Sequence, residues 1–148
     1  MPTGNKNKIK TVKRIAILTS GGDAPGMNAA IRAIVIAAQH YKIAVMGFYA
    51  GFNGLIDDIS MPLNVKDVTN IIQKGGTILK SARCPAMKKP LGIAQAASTL
   101  LKEKIDALIV IGGDAHWLAQ SLCSKNGLVK LLIFLPPLIT ILTLAILL

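Results

Sequence analysis

The chain has 148 residues, 52% of them hydrophobic and 16% charged, and a formal net charge of +10 at pH 7. That length allows one domain with an adequate core, since chains of this size bury about 70% of their unfolded surface. Cys84 and Cys123 are too few and too far apart for a disulfide framework or a zinc site, and neither His40 nor His116 has a ligand-spaced neighbour, so a reducing cytoplasm fits best.

Residues 1–12 form a basic leader. Lys6, Lys8, Lys10, Lys13 and Arg14 follow one another with no acidic residue among them. This is expected to be a solvated, disordered extension. No aromatic residue interleaves with the lysines for base stacking, so no nucleic-acid partner is expected, and no apolar stretch marks a secretory signal.

Arg14 to Leu18 reads as a short buried strand that empties into Gly21-Gly22 and Pro25-Gly26. Two glycines let backbone N–H groups approach an anion closely, and the helix that follows adds the partial positive charge of its N-terminus. Asp23 reads at least as well as the N-cap of that helix as a direct participant in chemistry. Met27 to Gln39 is strongly apolar with Arg32 as its only charge, as expected of a helix on a sheet face, and His40 sits at its end or on the surface. Ala44 to Phe48 reads as the next strand, and Gly47, Gly51 and Gly54 punctuate the loop beyond it. The pattern over Val65 to Gln73 predicts an amphipathic helix ending at Gly75-Gly76.

Pro85 biases Cys84 away from helical backbone, so Ser81 to Pro85 is expected as a loop that exposes Arg83. Gly92 to Lys104 carries a helix face of Ile93, Ala96, Ala97, Leu100 and Leu101. The strand from Ala107 to Ile111 then opens into a second Gly-Gly-Asp, Gly112 to Asp114. Alternating strand and helix predicts an α/β fold, a Rossmann-like doubly wound, mostly parallel sheet, with ligands at the carboxyl ends of the strands.

Four motifs carry a resemblance: Leu18-Thr-Ser-Gly-Gly-Asp-Ala-Pro-Gly-Met-Asn-Ala-Ala-Ile-Arg32, Gly47-Phe-Tyr-Ala-Gly-Phe-Asn-Gly-Leu55, Gly75-Gly-Thr-Ile-Leu-Lys-Ser-Ala-Arg83 and Val110-Ile-Gly-Gly-Asp114. In this order they resemble the N-terminal part of the bacterial-type, ATP-dependent 6-phosphofructokinases. The resemblance implies an incomplete first domain of that fold, with residues 13–130 as a truncated nucleotide-binding α/β domain. It implies ATP-dependent phosphorylation of fructose 6-phosphate to fructose 1,6-bisphosphate in glycolysis, with ATP as phosphoryl donor, Mg2+ as cofactor and a cytoplasmic location.

The resemblance places Gly22, Arg83, Cys84, Gly113, Asp114, Ala115 and His116 at the ATP site. Gly22 would meet the phosphates through its backbone, Arg83 through its guanidinium, and Asp114 would hold magnesium, a hard cation suited to oxygen ligands. Arg32 matches one residue of the allosteric effector site, although Ile36 and Val65 stand where further arginines are expected. Family members form homotetramers, which half a chain is not expected to reproduce.

Beyond Asp114 the pattern decays. Ala115 is neither the glycine of ATP-using members nor the bulkier acidic residue of pyrophosphate-using relatives, which leaves a pyrophosphate donor as an alternative. His116 replaces a serine that contacts nucleotide phosphate. A lipid or dinucleotide kinase would share the Gly-Gly-Asp turn, but Ala24 to Asn28 and Gly75 to Arg83 argue against it.

From Leu131 to Leu148 no charged residue occurs, and Lys125 and Lys130 precede the run. By length this suits a marginal membrane helix, which gives a second reading: a catalytically dead nucleotide-binding or tail-anchored protein. Pro136-Pro137 argues against a regular span. A third reading shifts the frame, taking the last base of each preceding codon with the first two of its own from Phe134 onward. The run then becomes compatible with Pro-Ala-Thr-Ile-Asp-Asn-Asp-Ile, the family's active-site motif. Residues 131–148 are therefore expected to be out-of-frame sequence without a membrane role, the catalytic aspartate lost and the chain inactive. The nucleotide sequence from codon 110 tests this directly: a neighbouring open frame spelling Thr-Ile-Asp-Asn-Asp is expected, and its absence makes the tail genuine.

Overall fold

The strands at the centre of the sheet are apolar on both faces, which fits burial between two layers of helix. In the computed structural model, which describes residues 11–112 and the backbone of 130–134 and 142–144, β1 (Arg14–Thr19) lies between β2 (Ala44–Phe48) and β4 (Ala107–Ile111), parallel to both. Ile15 and Ile17 point to one face with Val45, Ile109 and Ile111, where α1 (Met27–His40) contributes Met27, Ile31, Val35 and Ala38. Ala16 and Leu18 point to the other with Phe48, Leu108 and Val110, where α2 (Phe52–Ile56) and α3 (Pro90–Lys102) pack. The alternation of each strand thus divides the core into two clusters.

The whole sheet has six strands in the order β3-β2-β1-β4-β5-β6. β3 (Ser60–Pro62) pairs antiparallel with β2, β5 (Lys130–Phe134) parallel with β4, and β6 (Leu142–Leu144) antiparallel with β5. Among the described residues no helix is long and apolar enough to cross a membrane.

The first segment to depart from expectation is Val65 to Gln73, which forms consecutive turns instead of an amphipathic helix. The Thr69 hydroxyl donates to the Val65 carbonyl at 2.8 Å, and the Asp67 amide donates to Asn64, three residues back. The main-chain bonds here reach three residues back, as in turns, and Asn70, at a φ of 57°, ends any continuation. Val68 and Ile71 still bury their side chains completely, so the predicted apolar pair is met by turns. On α3, Leu101 is exposed and Thr99 takes the buried place, with its hydroxyl bonded to the Gln95 carbonyl. Lys104, in the left-handed region, ends the turn after α3.

Polar contacts tie the strand beginnings together. The amides of Lys13 and Arg14 donate to Asp106 Oδ2, and the Asp106 amide donates to the Arg14 carbonyl. On the opposite side of the helical layer, Lys102 donates to Asp58. That hydrogen bond, helped by the carboxylate charge, raises the Lys102 pKa. A raised lysine contributes below its ordinary pKa, about 10.4, and loses its contribution only as pH climbs through the higher value, so the bridge is insensitive to pH near neutrality.

Candidate functional site

At the carboxyl end of β1 the chain turns at Gly21, in the left-handed region with a φ of 82°, and enters α1 through Gly26. Gly26, not Asp23, occupies the N-cap, and no side chain caps the helix. Asp23 lies too far upstream to reach back to the first turn. Its Oδ1 accepts instead from the Thr77 amide at 3.0 Å, and a Cβ on Gly76 would fall 2.9 Å from Oδ2. The acid expected as a cap is thus a tether for the second glycine motif.

Gly22 is exposed, and a Cβ placed on it would meet no protein atom within 4 Å. Neither packing nor a positive φ requires glycine there. Gly112 is the opposite case. Its φ is 140°, and a Cβ would fall 1.8 Å from the Ser20 carbonyl oxygen. The Ser20 amide also donates to the Ile111 carbonyl at 2.9 Å. The first glycine of the second Gly-Gly-Asp therefore rests on the residue that precedes the first Gly-Gly-Asp. The two turns begin at the carboxyl ends of adjacent parallel strands, β1 and β4, where the strand order places β2 to one side and β5 to the other, the kind of crevice where ligands bind in open α/β sheets. Gly113, Asp114, Ala115 and His116 lie outside the described residues.

The segment from Gly75 to Arg83 lies across this end as a strap. Thr19 Oγ1 donates to the Lys80 carbonyl at 2.7 Å and lies 3.2 Å from Thr77 Oγ1. The Ala50 amide donates to the Leu79 carbonyl, and Gly51 approaches Thr19 and Ala82 so closely that a Cβ would meet the Thr19 oxygen at 2.8 Å. Asn53 Nδ2 donates to the Arg83 carbonyl at 3.2 Å. Arg83 is exposed, as its loop position predicts. Cys84, the next residue in the chain, buries its side chain in the α3-side cluster.

No acidic residue occurs between Asp67 and Glu103, while Lys74, Lys80, Arg83, Lys88 and Lys89 are all exposed. Such a one-signed segment favours an anionic ligand. A cleft of about 270 Å³ lies beside it, between Pro25-Gly26 and Lys74 to Thr77. A larger groove of about 590 Å³, lined by Arg14, Gln39 and Lys42, is at the strand beginnings, away from both turns. Arg32 is half-buried on α1, Ile36 is partly exposed one turn further on, and Val65 packs at the edge of the α1 cluster. Among the described residues no group of three or more His, Cys, Asp or Glu could hold a metal ion.

The residues that sequence reasoning missed are Thr19, Asn28, Asn53 and Thr77. Asn28 is the one with a readable signal, a polar residue that interrupts the apolar run of α1 at its second position.

The sequence matches the family described as Phosphofructokinase over residues 14–141. The chain belongs to that family. It is similar to the ATP-dependent 6-phosphofructokinase of Paenibacillus macquariensis, 45% identical over 118 residues, which are 80% of this chain and 37% of the relative. The same enzyme of Clostridium botulinum (strain Eklund 17B / Type B) is 49% identical over 117 residues, 79% of this chain and 37% of the relative. The phosphofructokinase of Pichia pastoris, solved in the T-state, superposes with a TM-score of 0.75 at 34% identity, covering 85% of this chain and 15% of that one. This phosphofructokinase-family chain thus spans less than two fifths of the length of the bacterial relatives.

Proposed function

We propose that the chain is the nucleotide-binding, N-terminal part of an ATP-dependent 6-phosphofructokinase, the cytoplasmic enzyme that phosphorylates fructose 6-phosphate in glycolysis. The observation that carries this reading is the contact between the two Gly-Gly-Asp turns, Gly112 on Ser20, beneath the strap that ends in Arg83. Phosphoryl transfer asks mainly for positioning and charge stabilisation. Main chain at Gly22 can approach phosphate oxygens because no side chain stands there. Arg83 supplies a planar, permanently charged donor set for the same oxygens.

Asp114 is the proposed magnesium ligand, since one carboxylate with phosphate oxygens suits this ion. Magnesium, when bound, neutralises charge on the phosphates during transfer. ATP is favoured over pyrophosphate as donor by the relatives at 45% and 49% identity, both named ATP-dependent. Pairing of Lys130–Phe134 and Leu142–Leu144 with the sheet supports a domain role for those residues over an anchor.

Titration of the purified chain with Mg-ATP tests the reading. Gly22→Ala should weaken binding about tenfold or more while leaving the urea midpoint unchanged, because the added methyl meets no protein atom. Arg83→Ala should weaken it by a similar factor, as expected for loss of a charge-assisted contact of about 1.5–3 kcal/mol. Wild-type affinity in both variants would refute the site.

A further inference from the structure

We propose that Asn28 is a positioning residue for Arg83, acting by holding the strap in register with the Gly21-Gly22 turn; this rests on the reading of Arg83 as a phosphate ligand. Asn28 is 6% exposed and bonds to four main-chain groups. Its Nδ2 lies within hydrogen-bond distance of the carbonyls of Ile71 at 3.0 Å, Gly76 at 2.8 Å and, more weakly, Lys74 at 3.4 Å. Its Oδ1 accepts from the Ile78 amide at 2.9 Å. Every one of these partners lies in the segment that leads to Arg83, and none is on α1.

Asparagine is the side chain that fits. The site needs donors and an acceptor together on a short stem. Aspartate cannot donate to carbonyls when ionised, serine has a single proton to give, and glutamine is a methylene too long. Because side chains on a helix lean towards its N-terminus, the second residue of α1 reaches over the preceding turn, where the strap passes.

From Ile78 the strap continues under two further tethers, Thr19 at the Lys80 carbonyl and Asn53 at the Arg83 carbonyl. Asn53 is half-buried and its single bond is 3.2 Å long, so it cannot by itself set the path of the strap. Asn28 fixes the near end through several bonds from one buried side chain, and the guanidinium position follows from there. Asp23, with one bond to Thr77, assists at the same end.

The test combines hydrogen exchange with a double-mutant cycle on the full chain. In Asn28→Ala, exchange should quicken about tenfold or more at the amides from Thr77 to Arg83, with β1 and β4 still protected. Mg-ATP should bind about tenfold more weakly in Asn28→Ala, yet the same change introduced into Arg83→Ala should cost nothing further. A uniform rise in exchange, or an equal loss of affinity in both backgrounds, would make Asn28 a general stabiliser and overturn the proposal.

If the wild-type chain fails to bind Mg-ATP, the phosphate reading of Arg83 falls. Exchange confined to the strap then still supports the positioning of the Arg83 segment, while unaltered strap exchange refutes it. Should Asn28→Ala fail to fold, Asn28→Ser retains a donor and an acceptor and is expected to show the same pattern at smaller amplitude. An even pattern in that variant would also count against the proposal.

Discussion

Gly112→Ala should lower stability by more than about 4 kcal/mol, enough to leave much of the chain unfolded or to force the two glycine turns apart. Two costs combine. The φ of 140° is one that side chains rarely adopt, and the new methyl would lie 1.8 Å from the Ser20 carbonyl oxygen. That carbonyl is main chain at the end of a buried central strand. Moving it disturbs the Ser20 amide bond to Ile111, the hydrogen bond that joins β1 to β4 at the site. Urea unfolding followed by far-UV circular dichroism measures the loss. A wild-type midpoint would mean that the approach of the two turns is looser than the structure indicates. Gly22→Ala is the internal control, with an expected change within about 0.5 kcal/mol.

Phe48→Ala should cost about 3–5 kcal/mol. Phe48 is fully buried at the end of β2, in the cluster that includes Phe52, Leu55, Met87 and Leu100. Removing its ring leaves a cavity between the sheet and α2, and β2 runs directly into the Tyr49-Ala50 turn that supports the strap at Leu79. Stability and strap order should therefore fall together, seen as a lower urea midpoint and faster exchange at the Ala50 amide. Phe48→Leu, which keeps more of the volume, should cost clearly less. Equal midpoints for Phe48→Ala and the wild type would contradict this account of the core.

The central architecture was legible because buried parallel strands are written as unbroken apolar runs. Arg14 to Leu18, Ala44 to Phe48 and Ala107 to Ile111 read as strands and are strands, to within a residue at the end of the first. The helix over Met27 to Gln39 reads equally well and extends to His40. What failed was decided by tertiary contact or local competition. β3 has three residues, Ser-Met-Pro, too few for any periodicity to register. Val65 to Gln73 carries a helical spacing, but its main-chain bonds are those of turns and Asn70 swings into the left-handed region.

The two Gly-Gly-Asp turns were readable as a pair at strand ends, while the contact that seats Gly112 on Ser20 was not, since spacing along a chain does not reveal which carbonyl a glycine will touch. Asp23 shows the same limit. Its position suggests a cap, and its partner is an amide 54 residues away. Asn28 was visible only as part of a motif, because its partners lie 43 to 50 residues on.

The position of β1 has a further consequence for how this domain comes into being on the ribosome. β1 is made first, yet its second neighbour, β4, follows the Asp106 that anchors Arg14 from 92 residues downstream. Until that stretch has emerged, one side of β1 is an open edge with apolar residues on both faces, a template for wrong pairing. The crevice between the two glycine turns arises only when β4 pairs with β1. Any ligand held between the turns can therefore stabilise the finished sheet but cannot guide its early assembly.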